Sequence, residues 1–249
     1  MLAALLLEAC APGPVDWGDP DALVPELRTA AALDFDGQGR LVARPDADPD
    51  VPPFAGRCAG SARVVRSASG TRYAVWWSMR ADSTANVMAS GSTDGLTWST
   101  PARVDTADVA RVGCRRPPPA IAEDGDNVHI VYAMVAREGP GIFSAHSMDR
   151  GATFHWPVAV VYGEKPGLAV VAARGNFVVV AYEDPNTSPT RISIAISRTM
   201  AHLFEYREMV SRSGSAVAAP GVATDGKRIA VTWTTSPASP RVARLGNVR

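Results

Sequence analysis

The chain is poor in several things that would assign it quickly. It has three cysteines in 249 residues, with no C-x-x-C pair and no His/Cys spacing that suggests zinc. Its four histidines, at 129, 146, 155 and 202, share no ligand spacing. It lacks charge of one sign: 25 Lys plus Arg balance 25 Asp plus Glu, which removes the electrostatic case for nucleic acid or an anionic membrane surface. Lysine itself is nearly missing, present only at 165 and 227. No stretch of useful length carries helical periodicity, which excludes a helical solenoid. No hydrophobic run is long enough to span a bilayer.

What is present is a repeat. Residues Ser147-Met-Asp149-Arg-Gly151-Ala-Thr-Phe154 form an S-x-D-x-G-x-T-F pattern. A shortened copy occurs at Ser92-Thr-Asp94-Gly95-Leu-Thr-Trp98, and a worn one runs from Ser197 to Phe204, with Thr199 and Ala201 in place of the Asp and Gly. The leading serines are 55 and 50 residues apart. Two further markers keep the same register through four copies. Turn glycines fall at Gly70, Gly125, Gly175 and Gly226, and aromatics close the next apolar run at Trp77, Tyr132, Tyr182 and Trp233. Both series step by 55, 50 and 51 residues, as a true repeat requires.

Each unit reads as strands. Tyr73–Trp77, Val128–Tyr132, Phe177–Tyr182 and Ile229–Trp233 are rich in β-branched and aromatic residues and bounded by Gly, Asp or Asn. They are nearly continuous apolar runs, so both faces should be covered. A weaker strand precedes each and an alternating one follows. Four short antiparallel strands per ~50 residues, repeated, predict an all-β propeller of four-stranded blades. Four blades are visible, near 59–104, 117–160, 166–210 and from 215 onward. The last has only three strands, ending at Arg241–Leu245. Upstream, 33–44 reads as a hairpin turning at Asp36-Gly-Gln-Gly39, and an N-terminal strand completing the last blade would close the ring. A closed ring of four or five blades and a truncated six-bladed ring both fit.

The Ser-x-Asp-x-Gly motif and its spacing resemble the Asp-box, or BNR repeat, of the sialidase-like β-propellers, over roughly residues 32–246. The physical role of the box is structural: Asp accepts turn amides, Gly takes positive φ, and the aromatic packs between sheets. Ser92, Asp94, Gly95, Trp98, Ser147, Asp149, Gly151 and Phe154 are therefore assigned to folding. In the family the ligand face lies opposite these turns, at the central mouth. The loops expected there carry Arg80 and Asp82, Arg137 and Glu138, Glu183 and Asp184, with Arg111, Arg115 and Arg116 in a blade link. Guanidinium forks suit a carboxylated sugar. A sialidase, as the resemblance implies, needs three arginines for the substrate carboxylate, a Tyr nucleophile activated by Glu, and an Asp acid/base. The family's F/Y-R-I-P sequence is missing here, Pro117 standing where its arginine would be, and no tyrosine sits beside a Glu at the mouth. If catalysis exists, Arg115, Arg116 and Arg80 are the carboxylate binders, with Arg137 and Asp184 as further ligand contacts. Asp82 is then the acid/base and Glu183 the assisting carboxylate.

The N-terminus divides the chain into residues 1–30, a signal-like start and tether, and 31–249, one propeller domain. Met1-Leu-Ala-Ala-Leu-Leu-Leu-Glu8-Ala-Cys10 resembles a bacterial lipoprotein signal with Cys10 as the lipidated residue, although Glu8 and the lack of a leading Lys or Arg depart from it. Cys58 and Cys114 are 56 apart, about one blade, and read equally as a disulfide or as two buried thiols. No cofactor and no metal is expected. Three functional readings remain: an extracytoplasmic, lipid-anchored propeller that binds a carbohydrate or a cell-surface glycoprotein, with no nucleic-acid partner; an exo-sialidase or related glycoside hydrolase with divergent residues; or a truncated, inactive family member.

Overall fold

A computed structural model describes residues 13–28, 30, 32–44, 54, 56–212, 214–236 and 239–249. Cys10 and the apolar start lie outside these residues. Two short N-terminal strands, β1 (Val15–Trp17) and β2 (Asp21–Ala22), are followed by a hairpin of β3 (Ala32–Phe35) and β4 (Leu41–Arg44). The first blade is β5 (Arg63–Arg66), β6 (Arg72–Met79), β7 (Ala85–Ser92) and β8 (Ala102–Asp105). The second is β9 (Ala120–Asp124), β10 (Asn127–Ala136), β11 (Gly139–Ser147) and β12 (Val158–Tyr162). The third is β13 (Ala169–Arg174), β14 (Phe177–Glu183), β15 (Ile192–Ser197) and β16 (Tyr206–Met209). The fourth is β17 (Ala218–Thr224), β18 (Arg228–Thr234) and β19 (Val242–Val248), which β1 completes as an antiparallel fourth strand. The fold is an all-β propeller of antiparallel blades.

The continuous apolar runs are explained by the blade interfaces. In β10, Val128, Ile130, Tyr132 and Met134 join the first blade's Tyr73, Val75 and Trp77 in one core, while Val131 points the other way into a core with the third blade. In β14, Val178 and Val180 face the second blade, and Phe177, Val179 and Ala181 face the fourth. A middle strand thus buries both of its faces, each fully buried Val or Ile contributing roughly 1.5–3 kcal/mol of transfer free energy. The inner strands β5, β9, β13 and β17 pack side by side in that order. The sheets do not close into a continuous ring; the β3–β4 hairpin lies against β17 instead. Its turn is set by Asp36, whose carboxylate accepts the amides of Gln38 and Arg40. Arg228 anchors it, donating to the Gly39 carbonyl at 2.8 Å and lying over the Phe35 ring.

The N-terminal segment corrects one expectation. Residues 15–22, read as part of a tether, belong to the fourth blade: Val15 is buried in the core between the third and fourth blades, and β2 also pairs with β19. An extended edge with unpaired amides is the reason, since β19 would otherwise present a free ladder to solvent.

The three serine turns share one geometry. The Ser Oγ accepts a backbone amide across each turn, from Gly95 to Ser92, Gly151 to Ser147 and Ala201 to Ser197, at 2.8, 2.8 and 3.0 Å. Asp94 also accepts the amides of Leu96 and Thr97, and Asp149 accepts the Thr153 amide and hydroxyl. In the worn copy Thr199 Oγ1 takes over, accepting the Leu203 amide at 3.1 Å. There Met200 and Ala201 hold positive φ without a glycine. Phe154 packs against the core between the first two blades, and Trp98 is half-buried.

Cys58 and Cys114 form a disulfide with Cα atoms 5.3 Å apart, fastening the segment before the first blade to the link before the second.

Candidate functional site

A cavity of about 1190 Å³ lies on the axial side of the blades, walled by the inner strands and the β3–β4 hairpin. Small residues on those strands, such as Ala122, Ala172 and Gly221, keep it open; a Cβ at Gly221 would collide with Thr232 Oγ1 and the Arg241 guanidinium. Its charged groups are mostly paired. Arg44, carried in by β4, lies 3.3 Å from Glu123 Oε1 and donates to the Arg66 carbonyl. Arg174 pairs with Asp124 at 3.2 Å. Burial pushes the Glu123 carboxyl above its ordinary value, against the opposing effect of the Arg44 cation.

Arg241 is different. It donates to the Ala219 carbonyl at 3.0 Å and to Thr232 Oγ1 at 2.8 Å, and its buried Nε has no hydrogen-bond partner. No carboxylate among the described residues forms an ion pair with it. Burial lowers its pKa, the signature of a cation held away from water without a counter-charge. Tyr73 also lines this cavity but is only 3% exposed. Burial and the nearby Glu123 carboxylate raise its hydroxyl further, so the phenol is not activated as a nucleophile.

The residues expected at the mouth separate into three places. Arg80, Asp82 and Arg137, with Arg111, share a shallow cleft of about 400 Å³ beside the first blade, distinct from the axial cavity. Asp82 accepts the Thr84 hydroxyl at 2.6 Å and its amide at 3.1 Å, and these bonds hold its carboxyl below the ordinary range. A carboxylate so held stays ionised, which favours the base half over the acid half of the acid/base role expected of it. Arg116 is buried in an ion pair with Asp108 and donates to the Gly113 and Ala110 carbonyls, so its guanidinium is committed to the fold rather than offered to a ligand. Arg115 is exposed on the adjoining link. Glu183 accepts the amides of Leu168 and Ala219, fastening the third blade to the fourth, and Asp184 accepts Ser193 Oγ and the Asn186 amide. Neither lines either cavity.

Sequence reasoning missed Arg44, Glu123 and Arg241. Glu123 lies one residue before the end of an inner strand, and Arg44 is 79 residues away on the hairpin. Only the placement of that hairpin on the axis would have joined them. It also missed a histidine group. His146 on β11, His155 after the second serine turn and His202 within the third turn bring one ring nitrogen each within 4.8 Å of one another. Ring centroids of His146 lie 4.4 Å from His155 and 4.3 Å from His202.

Neither a protein-family model nor a curated protein sequence matches the chain. Solved structures do. A protein of unknown function from Dyadobacter fermentans DSM 18053 aligns with a TM-score of 0.56 and 16% identity, over 94% of this chain and 72% of that one. A Hadza microbial sialidase aligns at 0.52 and 14%, over 76% of this chain and 46% of its own. An alpha-L-arabinanase from Penicillium chrysogenum, solved with arabinobiose, aligns at 0.50 and 13%, over 73% and 63%. The chain therefore spans less than two thirds of the sialidase and of the arabinanase. At these identities the likeness is one of fold: this chain is similar in architecture to propellers that include glycoside hydrolases.

Proposed function

We propose that the chain is a carbohydrate-binding propeller of the sialidase-like kind and that it takes an acidic glycan in the axial cavity. The observation that carries this reading is Arg241. Its guanidinium lies in a cavity of sugar-accommodating size, is desolvated, and has no carboxylate partner among the described residues. A ligand carboxylate supplies the missing counter-charge, and a planar fork receives it with direction as well as charge. The paired Arg44, Glu123, Arg174 and Asp124 surround it with polar edges for sugar hydroxyls. The recurring serine turns and their spacing support the sialidase-like assignment. Export with lipidation at Cys10 belongs to the same reading; the Cys58–Cys114 disulfide fits an oxidising compartment.

A second reading, glycoside hydrolysis, is favoured by one specific feature. Glu123 has its carboxyl raised by burial inside the cavity, the environment a general acid requires. It would protonate the leaving oxygen of a bound glycoside while a water molecule adds to the anomeric carbon and returns a proton to the solvent.

A glycan array probed with the folded chain tests the first reading, with sialylated and uronic-acid glycans set against their neutral counterparts. Retention of acidic glycans, lost in Arg241→Gln, is the expected outcome; equal retention of neutral glycans, or none, refutes it. Hydrolysis of a glycoside with an alkyl or sugar leaving group, lost in Glu123→Gln while an aryl glycoside is less affected, would support the second; turnover unchanged in Glu123→Gln refutes it.

A further inference from the structure

We infer that His146, His155 and His202 form a binding site for one divalent transition-metal ion of the zinc type, bridging the second and third blades. Three imidazoles from two blades meet on the turn side of the propeller, with one nitrogen of each within 4.8 Å of the others. A zinc ion with Zn–N bonds of about 2.0–2.1 Å needs its ligand nitrogens about 3.4 Å apart. His155 and His202 are exposed, and a side-chain shift of about an ångström would close the gap between the two spacings.

Independent features of the same residues point to a ligand. His146 is 3% exposed, and its buried Nε2 has no hydrogen-bond partner. An orphaned buried nitrogen costs free energy that a metal bond would return. His202 is already oriented: its Nδ1 lies 2.6 Å from the Thr199 carbonyl oxygen, which only accepts. The proton therefore sits on Nδ1 and leaves Nε2 as a lone-pair donor, the usual outer support of a zinc-bound histidine. His155 is held beside His146 by its own backbone, its amide donating to the His146 carbonyl at 2.9 Å.

Donor chemistry sets the metal class. Three neutral imidazoles without a carboxylate or thiolate suit Zn²⁺, Co²⁺, Ni²⁺ or Cu²⁺ and not Mg²⁺ or Ca²⁺, which demand oxygen. The fourth position faces solvent, as two of the three ligands are exposed. Because His202 belongs to the third serine turn and the other two to the second blade, the ion would fasten the outer ends of two blades. This function is independent of the axial cavity.

The test uses the full chain without an affinity tag, stripped with EDTA and titrated with ZnCl₂ by calorimetry, then with CoCl₂ by visible absorption. One ion per chain is expected, with cobalt bands of a tetrahedral nitrogen site. His155→Ala and His202→Ala, both at exposed positions that leave the core intact, should each weaken binding at least tenfold. Mg²⁺ should not compete. Failure to bind one Zn²⁺ saturably overturns the inference. So does binding that survives both substitutions, because the ion would then sit elsewhere.

Discussion

Arg116 and Asp108 pair at 2.9 Å with side chains 5% and 0% exposed, and the same guanidinium lies 4.9 Å from the centroid of Trp77. Asp108 in turn accepts the Ala85 amide at the start of β7. The pair therefore locks the first blade link onto the repeat aromatic of that blade. Removing one member strands a buried charge, which typically costs 3–5 kcal/mol. Arg116→Ala should lower stability by about that much in chemical denaturation, yet leave glycan affinity of the folded fraction unchanged. A loss of affinity without a loss of stability would return Arg116 to the ligand site.

The disulfide closes a loop with a sequence separation of 56. Loop-closure entropy for that length is worth about 4 kcal/mol in the chain-entropy model. The double variant Cys58→Ser/Cys114→Ser should melt markedly lower than the oxidised protein, and reductant should lower the melting point of wild type but not of the variant. Equal melting of the two proteins under oxidising conditions would contradict a formed bond.

Stability should fall in acid through the serine turns. Desolvation opposes ionisation of Asp149, but the bonds from Thr153 and Ser147 outweigh it and hold the carboxyl near a pKa of about 2. Asp94 is likewise held below its ordinary value, chiefly by the Thr97 and Leu96 amides. The folded state then binds fewer protons than the unfolded one, so their contribution is present above about pH 4 and lost as pH falls towards 2. Glu123 and Asp105, raised by burial, act in the opposite sense, so the turns are isolated by difference. The gap in melting temperature between wild type and Asp149→Asn should narrow from pH 5 to pH 2; a constant gap would refute the mechanism.

Strand β1 completes the fourth blade, with Val15 in its core and Trp17 donating to Glu208 at 2.9 Å. Deleting residues 1–22 bares the β19 ladder. The shortened chain should self-associate in light scattering at concentrations where the full chain does not. A monodisperse truncated protein would mean that the edge is protected in another way.

The architecture was legible because its markers are local and repeated. Gly70, Gly125, Gly175 and Gly226 all take positive φ at the inner hairpin turns, and Trp77, Tyr132, Tyr182 and Trp233 are all buried. Each signal is set by a handful of neighbouring residues, so one copy predicts the next. The sites obey no such rule. Arg44 and Glu123 meet only because a hairpin outside the repeat settles on the axis, and His155 and His202 meet only because two turns of different blades stand side by side. The loops expected at the mouth do carry Arg80, Asp82 and Arg137 to one cleft, but hydrogen bonds visible only in three dimensions bind Glu183, Asp184 and Arg116 to the backbone instead.

The pairing of Val15 with Val248 has a consequence for how the chain is made. At roughly 5–20 residues per second, the ribosome releases the partner strand about 10–50 s after β1 has emerged. Throughout that interval the first strand has no ladder to join. The fourth blade is therefore the last that can be completed, because β1 and β19 lie at opposite ends of the described chain.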